Sequence, residues 1–180
     1  MRFIPASLEG VFLVEPEPAS DARGYFARTF CVREFAARGL ETEFPQHSFS
    51  YSAARGTLRG MHFQRPPHEE VKVVSCTKGA IHDVLVDLRP ASATYLQWQG
   101  FDLTAANHLS LYVPKGVAHG FLTMEEDCEV SYLISAFHLP EAAAGVRYDD
   151  PAIGIAWPMP VSVISERDLA WDEYAGFGSA

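Results

Sequence analysis

The sequence predicts a mainly β protein that closes into a jelly roll and carries only a few short helices. From Thr57 onward, β-prone runs recur roughly every ten residues, with turn-forming residues between them, as in sandwiches and barrels. No alternation of strands with helices is visible, which disfavours a parallel α/β sheet. A jelly roll is a natural closed form for many short strands, and 180 residues suit a single domain, residues 1–180.

The N-terminal part, about residues 1–45, is predicted to be an extension of this domain with one short helix, Val32–Leu40. Phe35 and Leu40 can face inward there, and Gly39 ends the helical pattern. Exposed β-prone segments near the N-terminus need an edge to pair with, which loosely supports a dimer.

Seven strands are predicted in the central part of the chain. Turn residues such as Lys78-Gly79 and Arg89-Pro90 separate them. The segment of about residues 140–180 is Gly- and Pro-rich, so we expect an irregular wrap over the barrel, with a surface tail from Asp168 to Ala180. The predicted strands are Thr57–Phe63, Val71–Cys76, Ile81–Leu88, Tyr95–Leu103, Leu109–Val113, Gly120–Met124 and Glu129–Ser135.

The composition indicates which kinds of partner and which cellular compartment to expect for the protein. The formal net charge is −9 and no run of Lys and Arg exists, whereas a double-stranded nucleic acid needs clustered cations, so no nucleic-acid partner is expected. The three cysteines, Cys31, Cys76 and Cys128, are far apart and read as free thiols of a reducing compartment. Residues 1–10 carry no signal-peptide pattern, and no run reaches the ~18 apolar residues of a membrane helix. The expected location is the cytoplasm, without a membrane partner.

Two segments combine strand patterns with unusual polar residues. Alternation along Leu58–Gln64 places His62 on one face with Gly60 and Gln64, opposite Met61 and Phe63. His62 therefore faces the space that the barrel encloses. In Pro114–Phe121, a Pro-Gly turn delivers His119 at the start of a strand.

These two segments partly match the two motifs of metal-binding cupins. The second motif, Pro-x-Gly-x-x-His, is present and ends at His119, but Gln64 stands where the first motif has its second histidine. Glu70 lies close to the glutamate position, and an ammonium at Lys72 is unfavourable beside a divalent cation. The pattern thus favours a cupin-type double-stranded β-helix. A metal-dependent isomerase or dioxygenase using His62, Glu70 and His119 is one alternative function, and a non-catalytic binding or structural cupin is another.

A collinear series of short motifs resembles the dTDP-4-dehydrorhamnose 3,5-epimerase family. The resemblance runs from about residue 10 to about residue 170. Each motif alone is weak, but their order and spacing together are specific. The motifs are Asp21–Phe26, Gly56–Gln64, Asp83–Arg89, Ala118–Phe121, Glu129–Tyr132, Asp149–Pro151, Ile155–Pro158 and Ser165–Asp168.

The resemblance implies a metal-free, homodimeric cupin without a cofactor, acting on a nucleotide-diphosphate sugar with a 4-keto-6-deoxy ring. It implies that His62 is the base, that Asp168 orients its ring and stabilises the imidazolium, and that Tyr132 is the acid on the opposite face. Lys72 would stabilise the enolate oxygen.

The resemblance also assigns binding residues. Arg23 and Arg59 would hold the diphosphate, because planar guanidinium groups suit bidentate contact, and His119 would add a donor. Gln46 and Ser48 would line the nucleotide end.

Three positions depart from the family pattern. Arg28 replaces a common glutamate, His138 replaces an aromatic residue that often stacks on thymine, and Glu70 replaces a glutamine. Arg28 is a ligand contact or a plain surface cation, and His138 is a candidate base contact. The acid–base residues are intact, so the sequence predicts epimerisation while leaving open a CDP- or GDP-linked sugar and inversion at carbon 3 alone.

Overall fold

The computed structural model describes residues 1–174, and short strands dominate it. The two helices are α1 (Val32–Ala36) and α2 (Glu166–Leu169). The strands are β1 (Arg2–Pro5), β2 (Phe12–Glu15), β3 (Ala19–Asp21), β4 (Gly24–Phe26), β5 (Gln46–Ser52), β6 (Leu58–Gln64), β7 (Lys72–Lys78), β8 (Ala80–Asp87), β9 (Trp98–Thr104), β10 (Ser110–Val113), β11 (Val117–Thr123), β12 (Cys128–Ile134) and β13 (Ala143–Gly145).

The strands form two antiparallel sheets and a separate hairpin. One sheet has the order β1-β2-β10-β7-β12-β5, the other β13-β6-β11-β8-β9, and β3 pairs only with β4. Most neighbours within each sheet are distant in sequence, as crossed jelly-roll connections require. The mainly β fold with a few short helices is confirmed.

Alternation along the strands divides the apolar residues into layers. Val74 of β7, Leu85 of β8 and Phe121 of β11 belong to one buried cluster that draws on both sheets. Their neighbours Val73 and Val84 point the other way, into two outer clusters. The two sheets therefore pack face to face, and each also buries its outer face.

The two chain ends supply the outer covers. Phe35 of α1 is fully buried on the outside of the six-stranded sheet, near Tyr112. After α1, Gly39 adopts φ +68, and the N–H groups of Gly39 and Leu40 bond back to Ala36 and Phe35. This arrangement is a Schellman ending, which explains why the helix stops there.

The segment after residue 140 covers the five-stranded sheet. Met61 and Phe63, on the face opposite His62, pack with Val146 and Ile153 of that segment. The predicted division of β6 into two faces is confirmed. Among residues 1–174, no helix combines the length and the apolar character needed to cross a membrane.

Several boundaries differ from the sequence predictions. The helix ends at Ala36 instead of Leu40, and the strand predicted at Gly120–Met124 begins at Val117. The prediction of a surface tail was wrong for its first residues, because Asp168 lies in α2 and is only 4 % exposed. Residues 175–180 of that tail lie outside the described residues. The single domain of residues 1–180 stays a prediction.

Candidate active site

A cavity of about 610 Å³ lies between the two sheets. This volume is in the range of small-molecule sites in proteins. Strands β5, β7 and β12 of one sheet and β6 and β11 of the other line it, and the segment containing α2 closes one side. Sequence-predicted residues in its lining are Gln46, Ser48, Arg59, His62, Lys72, His119, Tyr132, His138 and Asp168.

His62 and Asp168 form a hydrogen-bonded pair on the cavity wall. The distance from His62 Nε2 to Asp168 Oδ1 is 2.6 Å, and the two residues are 106 positions apart in sequence. The His62 side chain is 41 % exposed and that of Asp168 only 6 %. The imidazole therefore faces the cavity, and the carboxylate lies behind it.

The backbone and side chains around Asp168 hold its carboxylate in place. Gly60 N donates to Oδ2 at 3.3 Å, and Trp171 Nε1 lies 3.4 Å from Oδ1. Ser165 caps α2 by accepting from Asp168 N. Burial alone would raise the pKa of Asp168, but the hydrogen bond and charge of His62 outweigh it, so the pKa lies below its usual value. Asp168 is thus ionised and oriented toward His62.

Tyr132 reaches the same cavity from β12. Its hydroxyl lies 3.0 Å from Ser50 Oγ on the neighbouring strand β5. Burial raises the pKa of Tyr132 to about 12. The phenol therefore keeps its proton at neutral pH. Sequence reasoning missed Ser50, although it follows Ser48 on the same strand face.

Lys72, the first residue of β7, forms an ion pair inside the cavity. Its Nζ lies 2.9 Å from Glu70 Oε1 and 3.3 Å from the carbonyl oxygen of His62. Both charged side chains are largely buried. Glu70 Oε2 has no hydrogen-bond partner among the described residues. Glu70 and Lys72 are two positions apart in sequence, and the structure brings their side chains into contact.

His119 belongs to a second histidine–carboxylate pair. Its Nε2 lies 2.8 Å from Asp83 Oδ2, on the adjacent strand β8. Asp83 is completely buried, and this burial raises its pKa despite the nearby His119. His119 is also the cross-strand partner of His62, next to a register shift in β11. Sequence analysis did not predict Asp83 as a site residue, although it occupies an inward position between Ile81 and Leu85.

The remaining polar residues lie toward the β5 side of the cavity. Arg59 donates from Nε to Ser52 Oγ at 3.1 Å and from Nη2 to the Tyr51 carbonyl at 2.9 Å. Gln46 Oε1 accepts from His138 N at 2.7 Å. Gln46 and His138 thus lie at the start of β5, and Arg59 lies at its other end.

Arg23 and Arg28 do not line this cavity. Arg23 lies on the β3–β4 hairpin, where its side chain is 90 % exposed and pairs with Asp21. Arg28 is also exposed, 3.9 Å from Glu34. Contacts of these two residues with a substrate stay predictions.

The three residues proposed as metal ligands each pair with a different charged side chain. His62 pairs with Asp168, Glu70 with Lys72, and His119 with Asp83. Within residues 1–174, no group of three or more His, Cys, Asp or Glu side chains is placed to hold a metal ion. The metal-dependent alternative is therefore not favoured.

Comparison with known proteins gives consistent matches. The family model described as dTDP-4-dehydrorhamnose 3,5-epimerase matches residues 5–175. The curated epimerase of that name from Methanothermobacter thermautotrophicus is 44 % identical, over 94 % of this chain and 92 % of its own length. A dTDP-4-dehydrorhamnose 3-epimerase from Streptomyces niveus is 37 % identical, over 93 % of this chain and 81 % of its own.

Solved structures agree with these matches. The crystal structure of dTDP-4-dehydrorhamnose 3,5-epimerase from Bacillus anthracis, with TDP and PPi bound, superposes with a TM-score of 0.92. It is 36 % identical, and the superposition covers 96 % of this chain and 99 % of that one. The cupin-like fold is therefore shared.

Proposed function

The chain belongs to the dTDP-4-dehydrorhamnose 3,5-epimerase family, and we propose on that premise that His62, Asp168, Lys72 and Tyr132 carry the epimerisation. The substrate is a nucleotide-linked 4-keto-6-deoxyhexose, inverted at carbon 3, carbon 5 or both. The observation that carries the assignment is the placement of the His62–Asp168 pair and the Tyr132 phenol on one cavity.

The first step is removal of a proton from a carbon next to the ketone. The ketone acidifies that hydrogen, and the imidazole of His62 accepts it. Asp168 then stabilises the resulting imidazolium by its ionised carboxylate at 2.6 Å. A positioned base contributes typically about 10²–10⁴-fold to such a reaction.

Removal of the proton leaves negative charge on the enolate oxygen. Lys72 supplies an ammonium group to the cavity. Its Nζ lies 3.3 Å from the backbone carbonyl oxygen of His62, the proposed base. A preorganised cation in a largely enclosed site is an effective stabiliser of developing charge. We therefore propose that the ammonium group of Lys72 stabilises the negative charge on the enolate oxygen.

The second step returns a proton to the opposite face of the ring. The Tyr132 phenol is protonated at neutral pH because its pKa is raised to about 12. Donation by Tyr132 after abstraction by His62 inverts the carbon. No oxidation or reduction is involved.

The binding residues fit a nucleoside diphosphate. Arg59 and His119 supply donors for the diphosphate, while Gln46, Ser48 and His138 lie at the proposed nucleotide end. The thymidine nucleotide is supported by the names of the relatives and by the TDP in the Bacillus anthracis structure. Inversion at both carbons or at carbon 3 alone is consistent with the relatives, which include a 3-epimerase.

We further propose a homodimer in which the β3–β4 hairpin of one copy reaches the cavity of the other. The hairpin presents Arg23 together with the exposed aromatic residues Tyr25 and Phe26. The edge strand β5, beside the cavity, presents exposed Phe49 and Tyr51. Apolar surface on both elements would be buried by pairing, and Arg23 would then approach a diphosphate. The three free cysteines support a cytoplasmic location.

The test is hydrogen exchange in D₂O. Purified, chelator-treated protein is incubated with dTDP-4-keto-6-deoxyglucose, and loss of hydrogen at carbons 3 and 5 is followed by NMR. Exchange at both carbons, abolished in His62→Ala, supports the 3,5-epimerase, and exchange at carbon 3 alone supports a 3-epimerase. No exchange, or exchange restored only by added metal, would refute the assignment.

A further inference from the structure

We propose that Ser50 is a proton relay that returns a proton to Tyr132 after each inversion. This inference rests on the proposed function, in which His62 gains a proton and Tyr132 loses one. Each inversion therefore leaves an imidazolium at His62 and a phenolate at Tyr132. The enzyme must reset both groups before the next inversion, and twice for a substrate inverted at two carbons.

The two groups differ in their access to solvent. The His62 side chain is 41 % exposed, so its extra proton can leave directly to water. Tyr132 is half-buried at the cavity wall, and burial raises the pKa of its hydroxyl to about 12. Among the described residues, its one hydrogen-bond partner is Ser50, at 3.0 Å.

Ser50 lies beside the phenol on the wall of the cavity, from which water can reach it. It is half-buried, lines the cavity, and belongs to β5, which is the last strand at its edge of the six-stranded sheet. In the β5–β12 register, Ser50 pairs with Val130 and Ser48 pairs with Tyr132, so Ser50 contacts the tyrosine diagonally. A hydroxyl can donate and accept at the same time, as a relay requires.

The reset conserves protons and charge. Ser50 Oγ–H gives its proton to the Tyr132 phenolate as a water molecule gives a proton to Ser50 Oγ, in one concerted shift. This leaves hydroxide, which the proton released by His62 neutralises. The phenol, the serine hydroxyl and the neutral imidazole are all restored, with no co-reactant other than water.

The test compares two β-branched variants of nearly the same shape, Ser50→Val and Ser50→Thr. Both fit an edge strand, both fill the space that water would occupy in Ser50→Ala, and only threonine keeps a hydroxyl. For each variant, rapid-quench kinetics in D₂O measures one turnover with enzyme in excess, and then steady turnover with substrate in excess. Ser131→Ala is the control, because it removes a hydroxyl from the residue next to Tyr132 on β12, which is not part of the cavity lining.

We expect Ser50→Val to perform its first inversion within about threefold of the wild-type rate but to turn over about tenfold or more slowly, since only the reset lacks its donor. The reaction then shows a burst of one inverted product per active site. Ser50→Thr and Ser131→Ala show no burst.

Two results would overturn the relay. An equal slowing of the first and later turnovers in Ser50→Val would make Ser50 a residue that merely orients the phenol. Identical kinetics of the Val and Thr variants would show that water reaches Tyr132 without Ser50. Failure of the proposed function looks different, because the wild-type protein itself would then release no hydrogen.

Discussion

Asp168 shows how a buried carboxylate can define the role of an exposed side chain. His62 alone is a half-exposed imidazole, but the carboxylate behind it holds its ring in one orientation. The neighbours of the carboxylate, Gly60 N–H and Trp171 Nε1, remain donors when the residue is changed.

We therefore expect Asp168→Asn to lower the rate of hydrogen loss by about a hundredfold or more, because the amide keeps the shape but not the charge. NMR in D₂O measures the rate, and thermal unfolding checks that the fold is retained. A variant that folds normally and exchanges at the wild-type rate would remove Asp168 from the mechanism.

At this scale, the sequence predicted single residues better than their contacts. His62, Tyr132 and Asp168 lie in the family motifs, Lys72 was assigned as the cation for the enolate oxygen, and all four line the cavity. Asp83 and Ser50 were missed, because a polar residue at an inward strand position does not reveal which side chain of another strand it meets. Their partners became evident only from strand pairing.

At the scale of elements, strands β6 and β11 approach each other unusually closely. A Cβ added to Gly60 would lie 2.6 Å from the Cα of Gly120, and Gly60 has φ +147. Backbone atoms cannot move aside as a flexible side chain can.

Gly60→Ala should therefore lower the free energy of unfolding by about 2 kcal/mol or more, through clash and backbone strain together. Gly39→Ala is a matched control, because Gly39 has φ +68 but nothing within 4 Å of its added Cβ. It should cost only about 1 kcal/mol. Urea unfolding measures both, and equal losses would contradict the close approach.

Strand β8 ends in a charge network that makes stability depend on pH. Burial alone would raise the pKa of Asp87, but hydrogen bonds from Arg89, Ser92 and Thr94 lower it to about 2. The pKa in the folded state is thus below the unfolded value. The ionised carboxylate stabilises the fold above about pH 4, and this stabilisation is lost as the pH falls toward 2.

Asp87→Asn should lower the free energy of unfolding by about 2 kcal/mol at pH 7, and the difference from wild type should shrink by about half at pH 3. Urea unfolding at both pH values gives the two differences. A difference that does not change with pH would show that the charge of Asp87 is not what stabilises this loop.

Sequence analysis assigned no strand at β1 to β5 or at β13 and no helix at α2. In β5, four of the seven residues are exposed, so the strand shows no regular buried–exposed alternation. Strands β3 and β4 are wholly exposed, so no alternation of apolar and polar residues marks them. Strand β13 consists of Ala143, Ala144 and Gly145, and α2 has only four residues, too few for a helical period. The central strands, which bury one or both faces, were predicted to within about three residues.

At the scale of the whole molecule, the position of Arg23 outside the cavity makes a distinctive prediction. If Arg23 of one copy serves the site of the other, a mixture of two inactive variants regains activity. A hybrid dimer of Arg23→Ala and His62→Ala chains has one site with both residues intact.

We expect the mixed dimer, refolded or co-expressed, to recover up to roughly half the activity per hybrid dimer, while each variant alone stays low. Light scattering should give about 40 kDa, twice the chain mass of 19.9 kDa. Two monomeric variants without recovery on mixing would disprove the shared site. From the sequence, the family resemblance and the β-prone N-terminal segments predict a dimer, but neither identifies which residues one copy supplies to the other.

The distance along the chain between His62 and Asp168 also sets the order of events during synthesis. All the barrel strands from β5 to β12 are made before α2, so a nascent chain can acquire its inner core while the imidazole still lacks its carboxylate. The His62–Asp168 pair is completed only when the final segment has left the ribosome and docked on the five-stranded sheet. The cavity strands can therefore assemble before the His62–Asp168 pair is complete.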